Sequence, residues 1–137
     1  MHTRNMTAAD LPRVFALWRE CEGVGLSEGD TIEGITAFLT RNPGTSWVAF
    51  AEDRLIGAVL AGHDGRRGFL YHLAVSAESR GQGAGSALVR HALEGLGAVG
   101  IRKCHVMVYR DNAEGQRFWE RLGWAQRGDI NVRTIVF

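Results

Sequence analysis

Apolar residues recur along this chain in two rhythms, and the changes from one to the other mark out its elements. Leu11, Val14, Phe15, Leu17, Trp18 and Cys21 fall at helical spacing and form one stripe of an amphipathic helix. Thr7 precedes that helix as an N-cap with Asp10 in the first turn, and a short strand, His2–Met6, comes before it. Ile32, Ile35, Phe38 and Leu39 repeat the helical period in a second helix, which starts at Asp30 or Thr31 and stops before Asn42-Pro43-Gly44. The rhythm then shortens. Trp47–Ala51, Leu55–Ala61 and Phe69–Val75 read as strands, joined by the tight turn Glu52-Asp53-Arg54 and by a hairpin signal at Asp64-Gly65. A helix carrying Ala87, Leu88, Val89 and Ala92 runs to about Leu96 and is broken by Gly97-Ala98-Val99-Gly100. Lys103–Tyr109 is a further strand, a helix follows Asn112, and Val132–Phe137 is a last strand. The order predicts an α+β fold: a mixed central β-sheet flanked by helices on both faces.

Composition narrows what such a fold is for. The 137 residues suffice for one domain, 1–137, with a proper core. A net charge of +1, with dispersed basic residues and no aromatic-basic stripe, argues against nucleic acid or a membrane surface as partner. No apolar run approaches the roughly 20 residues of a membrane span, and Met1-His2-Thr3-Arg4 lacks the apolar region of a signal peptide. The expected location is cytoplasmic. Cys21 and Cys104 stand far apart with no ordered histidine cluster, so reduced, mostly buried thiols are expected rather than a disulfide or a metal site.

One segment breaks the apolar pattern in a chemically pointed way. Arg80-Gly81-Gln82-Gly83-Ala84-Gly85-Ser86 follows the strand Phe69–Val75 and opens the next helix. Glycines let backbone N–H groups close on an anion, the helix N-terminus adds partial positive charge, and Arg80 can add a full one. Taken alone, a glycine run also suits a surface turn. No Gly-Lys-Ser/Thr follows, as a P-loop would need, and the spacing is not that of a dinucleotide fold. The spacing is Arg-x-x-Gly-x-Gly, which resembles the pyrophosphate loop of the GNAT superfamily of acyl-CoA-dependent N-acetyltransferases. A second motif supports the resemblance. Asn112, Gly115, Phe118-Trp119 and Leu122-Gly123-Trp124 fall on the pattern of the superfamily's helix after its fifth strand. Read from the residues alone, Asp111 or Asn112 caps an amphipathic helix that Gly123 ends. The resemblance covers essentially the whole chain and is nearest to small bacterial single-domain members.

The resemblance implies acetyl transfer from acetyl-CoA to a primary amine of a small molecule or a protein N-terminus, by direct attack in a ternary complex and without a metal. It places the pyrophosphate on Gly81, Gln82, Gly83, Ala84, Gly85 and Ser86 beside Arg80, with Asn112, Gly115, Phe118 and Trp119 completing the cofactor site. It also implies a bulge in the fourth strand and a splay from the fifth, so that the backbone of Leu73, Ala74 and Val75 takes the pantetheine arm and polarises the thioester. Where many members carry Glu or His as base, this chain has Phe69 and Tyr71. Tyr71 can order a water. His72 has the better intrinsic basicity, but strict alternation turns it to the opposite face. Met107 stands where some relatives keep a Glu, and Trp119 where many keep a tyrosine acid, so the thiolate is expected to leave unassisted. Trp18, Glu22 and Glu28 mark the expected acceptor end. Two alternatives stand: the departures at Trp119 and Met107 support a CoA-binding sensor of the same fold with little turnover, and a phosphate-binding domain unrelated to CoA would require the Asn112 helix match to be accidental. The superfamily often dimerises, which makes Val132–Phe137 a candidate homodimer edge.

Overall fold

A computed structural model describes all residues, 1–137, and contains five strands and four helices. The chain forms two compact units, Met1–Met107 and Val108–Phe137. The first unit holds the whole sheet: β1 His2–Asn5, β2 Trp47–Ala51, β3 Arg54–His63, β4 Gly68–Val75 and β5 Cys104–Val106. These strands lie in the order β1-β2-β3-β4-β5. The first four pair antiparallel, and β5 returns parallel to β4. The crossover is α3, Ala84–Ala98, while α1, Leu11–Glu20, and α2, Ile32–Arg41, intervene between β1 and β2.

Small residues let helices approach both faces. A Cβ on Gly57 would come within 2.9 Å of Leu88 Cδ1 on α3, and one on Gly62 within 2.7 Å of the Phe38 ring on α2. The two glycines are five residues apart on one strand and therefore on opposite faces. The main core lies on the α1 and α2 face. There Leu11, Val14, Phe15 and Trp18 meet Val48, Phe50, Ala58, Leu60 and Ala74.

The helix starts follow the side-chain chemistry. Thr31 Oγ1 accepts the Gly34 N–H at 2.9 Å and caps α2. Before α1, a turn of 3-10 helix, Ala8–Asp10, brings the Asp10 carboxylate back onto the Thr7 N–H at 2.8 Å. Asp10 is 2% exposed and takes a two-pronged bond from Arg4 at 2.7 and 2.8 Å. Burial pushes its carboxyl up, but the Arg4 and Thr7 bonds outweigh that and hold it below the ordinary range.

Two expected strands are corrected. The fifth was expected over Lys103–Tyr109, yet it is confined to Cys104–Val106, because only Gly68, Phe69 and Leu70 of β4 pair with it. The last was expected over Val132–Phe137, but those residues form no strand, and Ile130, Val132, Ile135, Val136 and Phe137 are all exposed. An apolar run with β-favouring residues becomes a strand only where a neighbouring edge takes its N–H and C=O groups.

The second unit contains α4, Ala113–Arg121. Asn112 Oδ1 accepts the Gly115 N–H at 2.9 Å, and a Cβ on Gly115 would lie 2.6 Å from Asn112 Nδ2. A larger residue at 115 would thus have to displace the capping side chain. At the other end Gly123 is left-handed (φ 87°), and its N–H bonds to the Glu120 carbonyl at 3.0 Å. The Trp124 N–H reaches back to the Trp119 carbonyl at 3.0 Å. This is a Schellman ending, and its usual apolar contact is present as Trp119 against Trp124, 4.7 Å between ring centres.

Candidate active site

The glycine segment forms the turn between β4 and α3. Gly81 and Gly83 have φ of 77° and 89°, the left-handed region that a side chain resists. A Cβ on either would meet nothing within 4 Å, so the space above them is open. None of the N–H groups from Gly81 to Ser86 donates to the rest of the protein; the first such bond is Ala87 N–H to the Gly83 carbonyl at 3.0 Å. Gly83 is the N-cap and brings no side chain to satisfy them. A cluster of unpaired amides at the start of a 15-residue helix is the donor set a pyrophosphate requires, so the loop fits the phosphates of CoA. Arg80 stands at the entrance, with its Nε donating to the Val75 carbonyl at 3.1 Å.

Upstream of the loop, β4 has the expected irregularity. In the pairing with β3, Ala58 faces Ala74 and Leu60 faces Tyr71, so one β3 residue is opposed by two of β4, His72 and Leu73. His72 takes up the extra length with φ 53°. Beyond Leu70 the other edge of β4 has no partner, since β5 stops pairing there. The backbone from Tyr71 to Val75 therefore borders an unpaired edge, while the Ala74 side chain is buried in the core.

The bulge overturns the expectation that His72 lies on the face opposite Tyr71. Alternation fails where an extra residue is inserted. Tyr71 packs edge-on to Phe38, and His72 edge-on to Trp18 at 5.0 Å, both on the α1 and α2 face. The Trp18 indole N–H donates to the His72 carbonyl at 2.9 Å. His72 Nε2 lies 2.9 Å from Asp30 Oδ1, with side-chain exposures of 17% and 13%. No hydrogen bond engages His72 Nδ1, and it is not sealed from solvent. Burial, with a smaller contribution from Cys104, pushes the Tyr71 phenol above its ordinary range and keeps it protonated.

Trp18 is also corrected. It was expected among the residues that meet the acceptor, but at 1% exposure it is a core residue that holds the bulge. Glu22 and Glu28 are exposed on the loop between α1 and α2. Asp30, from the same loop, is the residue that sequence reasoning failed to connect with His72. No linear signal ties two residues 42 apart; the link needs the bulge. Met107 is exposed. Trp119 is buried between Phe118 and Trp124 in the second unit. Burial raises both thiols, Cys104 to about 11. An open cleft of about 1040 Å³ runs along α1 and the β2–β3 turn, lined by Arg13, Glu20, Asp53 and Glu78 among others. It includes neither His72 nor the glycine loop, and its mixed charges favour no one ligand. No helix is long and apolar enough to cross a membrane.

Known proteins share this fold. An acetyltransferase of Yersinia enterocolitica is 30% identical over 138 residues, spanning 99% of this chain and 97% of that protein. The aminoglycoside 6'-N-acetyltransferase AAC(6')-IG of Acinetobacter haemolyticus superposes with a TM-score of 0.78 at 16% identity, over 100% of this chain and 99% of its own. The PaiA N-acetyltransferase of Thermoplasma acidophilum, solved in complex with coenzyme A, gives 0.76 at 21% identity, over 88% and 87% of the two chains. These two structures establish the fold. Residues 11–124 match the Acetyltransferase (GNAT) family, and with the relative that spans nearly the whole chain this shows that the protein belongs to it.

Proposed function

We propose that this protein transfers the acetyl group of acetyl-CoA to a primary amine by direct attack in a ternary complex. The observation that carries the reading is the backbone: the free amides of Gly81–Ser86 follow a strand whose edge has no strand partner from Tyr71 to Val75. The loop binds the phosphates, and the edge backbone of Leu73, Ala74 and Val75 lies along the pantetheine arm. Asn112, Gly115, Phe118 and Trp119 are assigned to the same cofactor on the family pattern. The family match crosses from 11 to 124, which supports treating 1–137 as one catalytic domain.

The thioester supplies an activated acyl carbon with a thiolate leaving group. His72 Nδ1 accepts a proton from the acceptor ammonium, which frees the nitrogen lone pair. That nitrogen bonds to the acyl carbon while the carbon–sulfur bond breaks, its electron pair leaving on sulfur. The second amine proton is lost to solvent. An N–H on the β4 edge stabilises the charge on the carbonyl oxygen, a contribution worth about 3 kcal/mol in such sites. Tyr71, kept as a phenol, orders water beside His72. The acceptor is a small-molecule amine or a protein N-terminus, and exposed Glu22 and Glu28 favour a cationic one. The exposed stretch Val132–Phe137 is the surface assigned to a homodimer, testable by light scattering of wild type and Val136→Asp.

A thiol-release assay over an amine panel tests the reading. Acetyl-CoA-dependent release with at least one amine is expected. Retention on immobilised CoA with no release for any amine would favour the sensor alternative, and no retention would sink CoA binding itself.

A further inference from the structure

The mechanism above uses one nitrogen of His72 and leaves the other to a residue with no assigned role. We propose that Asp30 is the positioning residue of that histidine, fixing its tautomer and balancing the charge it gains. The inference rests on the reading of His72 as proton acceptor.

Four observations converge on the imidazole. Asp30 Oδ1 lies 2.9 Å from Nε2, so an ionised carboxylate requires the hydrogen on Nε2 and leaves the Nδ1 lone pair as acceptor. The carboxylate is itself held: its Oδ2 accepts the Ser27 N–H at 2.8 Å, and the Asp30 N–H donates to the Ser27 carbonyl at 3.0 Å. Trp18 packs its ring edge-to-face with the imidazole, 5.0 Å between ring centres, and places its N–H on the His72 carbonyl. Finally, His72 is held at φ 53°, a conformation a non-glycine residue adopts only when its surroundings impose it. Both side chains are largely withdrawn from water, where a hydrogen bond to a carboxylate is stronger than at the surface. The arrangement is a carboxylate–imidazole pair in which the carboxylate never meets substrate. Asp30 also belongs to the loop that carries Glu22 and Glu28, so the same bond ties the acceptor loop to β4.

The test has two arms. In the first, ¹⁵N imidazole spectra at about pH 8, on the alkaline side of the usual histidine range, are recorded for wild type and Asp30→Asn, with His72→Gln identifying the signal. Wild type should show one tautomer with hydrogen on Nε2, and Asp30→Asn a mixture. Hydrogen on Nδ1 in wild type, or an identical spectrum in Asp30→Asn, overturns the proposal whether or not any amine is a substrate. In the second, an alkylamine active in the panel is compared with its fluorinated analogue, whose amine is already unprotonated at neutral pH. Asp30→Asn should lower kcat roughly 10- to 100-fold for the alkylamine, no more than the low end of what a general base contributes, with little change for the analogue and none in acetyl-CoA affinity. Equal losses for both amines would mean a merely structural role and overturn the proposal. Asp30→Glu should recover part of the alkylamine rate. If no amine reacts, the transferase reading fails while the spectra still decide the role of Asp30.

Discussion

The glycine loop and the bulge region are adjacent in the chain but built on opposite principles. The loop works through main chain: its donors are amides, and its side chains matter mainly by being absent at Gly81 and Gly83. The bulge region works through side chains drawn together from three places, Trp18 on α1, Asp30 on the following loop and His72 on β4. A site made of backbone tolerates variation in most flanking side chains but not a misplaced Cβ. A site made of side chains fails when any one member is altered, and fails in proportion to what that member does.

Gly83→Glu is the sharpest way to break the backbone side of this contrast. A side chain at φ 89° costs about 1 kcal/mol, and no protein atom lies within 4 Å of the new Cβ, so the fold should survive. The carboxylate, however, would enter the space proposed for the phosphates. CoA binding should fall by at least 100-fold in calorimetry while the circular dichroism spectrum is retained. Unchanged affinity in a folded variant would remove the loop from the cofactor site.

His72→Gln tests the other side. Here CoA affinity should be kept and kcat for an alkylamine should fall by roughly 100-fold, within the range for a lost general base. A loss of CoA binding instead would show that the two regions are not separable. Full activity would leave proton removal to solvent and the amine's own equilibrium.

The same contrast explains what could be read from sequence. Glycine at a left-handed position is a local demand, so the loop, its helix and even the hairpin turn were legible, and β2 falls on Trp47–Ala51 as expected. The splay of β4 from β5 was expected from the family resemblance, and the pairing of only Gly68–Leu70 agrees with it. The position of the bulge was not legible. It depends on register against β3, and missing it sent His72 to the wrong face and hid its contact with Asp30. Trp18 was misread for a related reason: an aromatic beside loop acids suits an acceptor pocket as well as a core, and only burial decides. At the C-terminal end, the apolar, β-favouring residues of Val132–Phe137 suggested a strand, but pairing partners are not written in the residues themselves.

Trp18→Phe should produce a smaller effect that joins stability to function. The variant loses the indole N–H on the His72 carbonyl and leaves unfilled volume at a residue 1% exposed. A loss of about 2–4 kcal/mol is expected by chemical denaturation, combining an orphaned carbonyl with a core cavity. Below its unfolding transition the variant should bind CoA normally and turn over several-fold more slowly, because the bulge is held less firmly. Wild-type turnover in a destabilised variant would show that the strained conformation of His72 is maintained by Asp30 alone.

The smallest effect is expected at Trp119, the residue seven beyond Asn112 where many relatives carry a tyrosine. In this protein its ring closes the end of α4, 4.7 Å from Trp124 and 5.1 Å from Phe118, and its carbonyl accepts the Trp124 N–H. Those contacts account for an apolar aromatic at this position without any duty at the thioester sulfur. Trp119→Phe keeps the aromatic contact and the backbone bond, so the cost should be about 1 kcal/mol, the order of one aromatic pair. Turnover should change by less than about twofold, a difference of under half a kcal/mol in the barrier. If the indole N–H instead stabilised the leaving thiolate, removing it would forfeit roughly 1–2 kcal/mol, as for a hydrogen bond to a charged group. Turnover would then fall about tenfold at unchanged CoA affinity. Single-turnover rates with wild type and Trp119→Phe separate the two. A tenfold loss would mean that departure of the thiolate also depends on one side chain, and would weaken the contrast between a backbone region and a side-chain region.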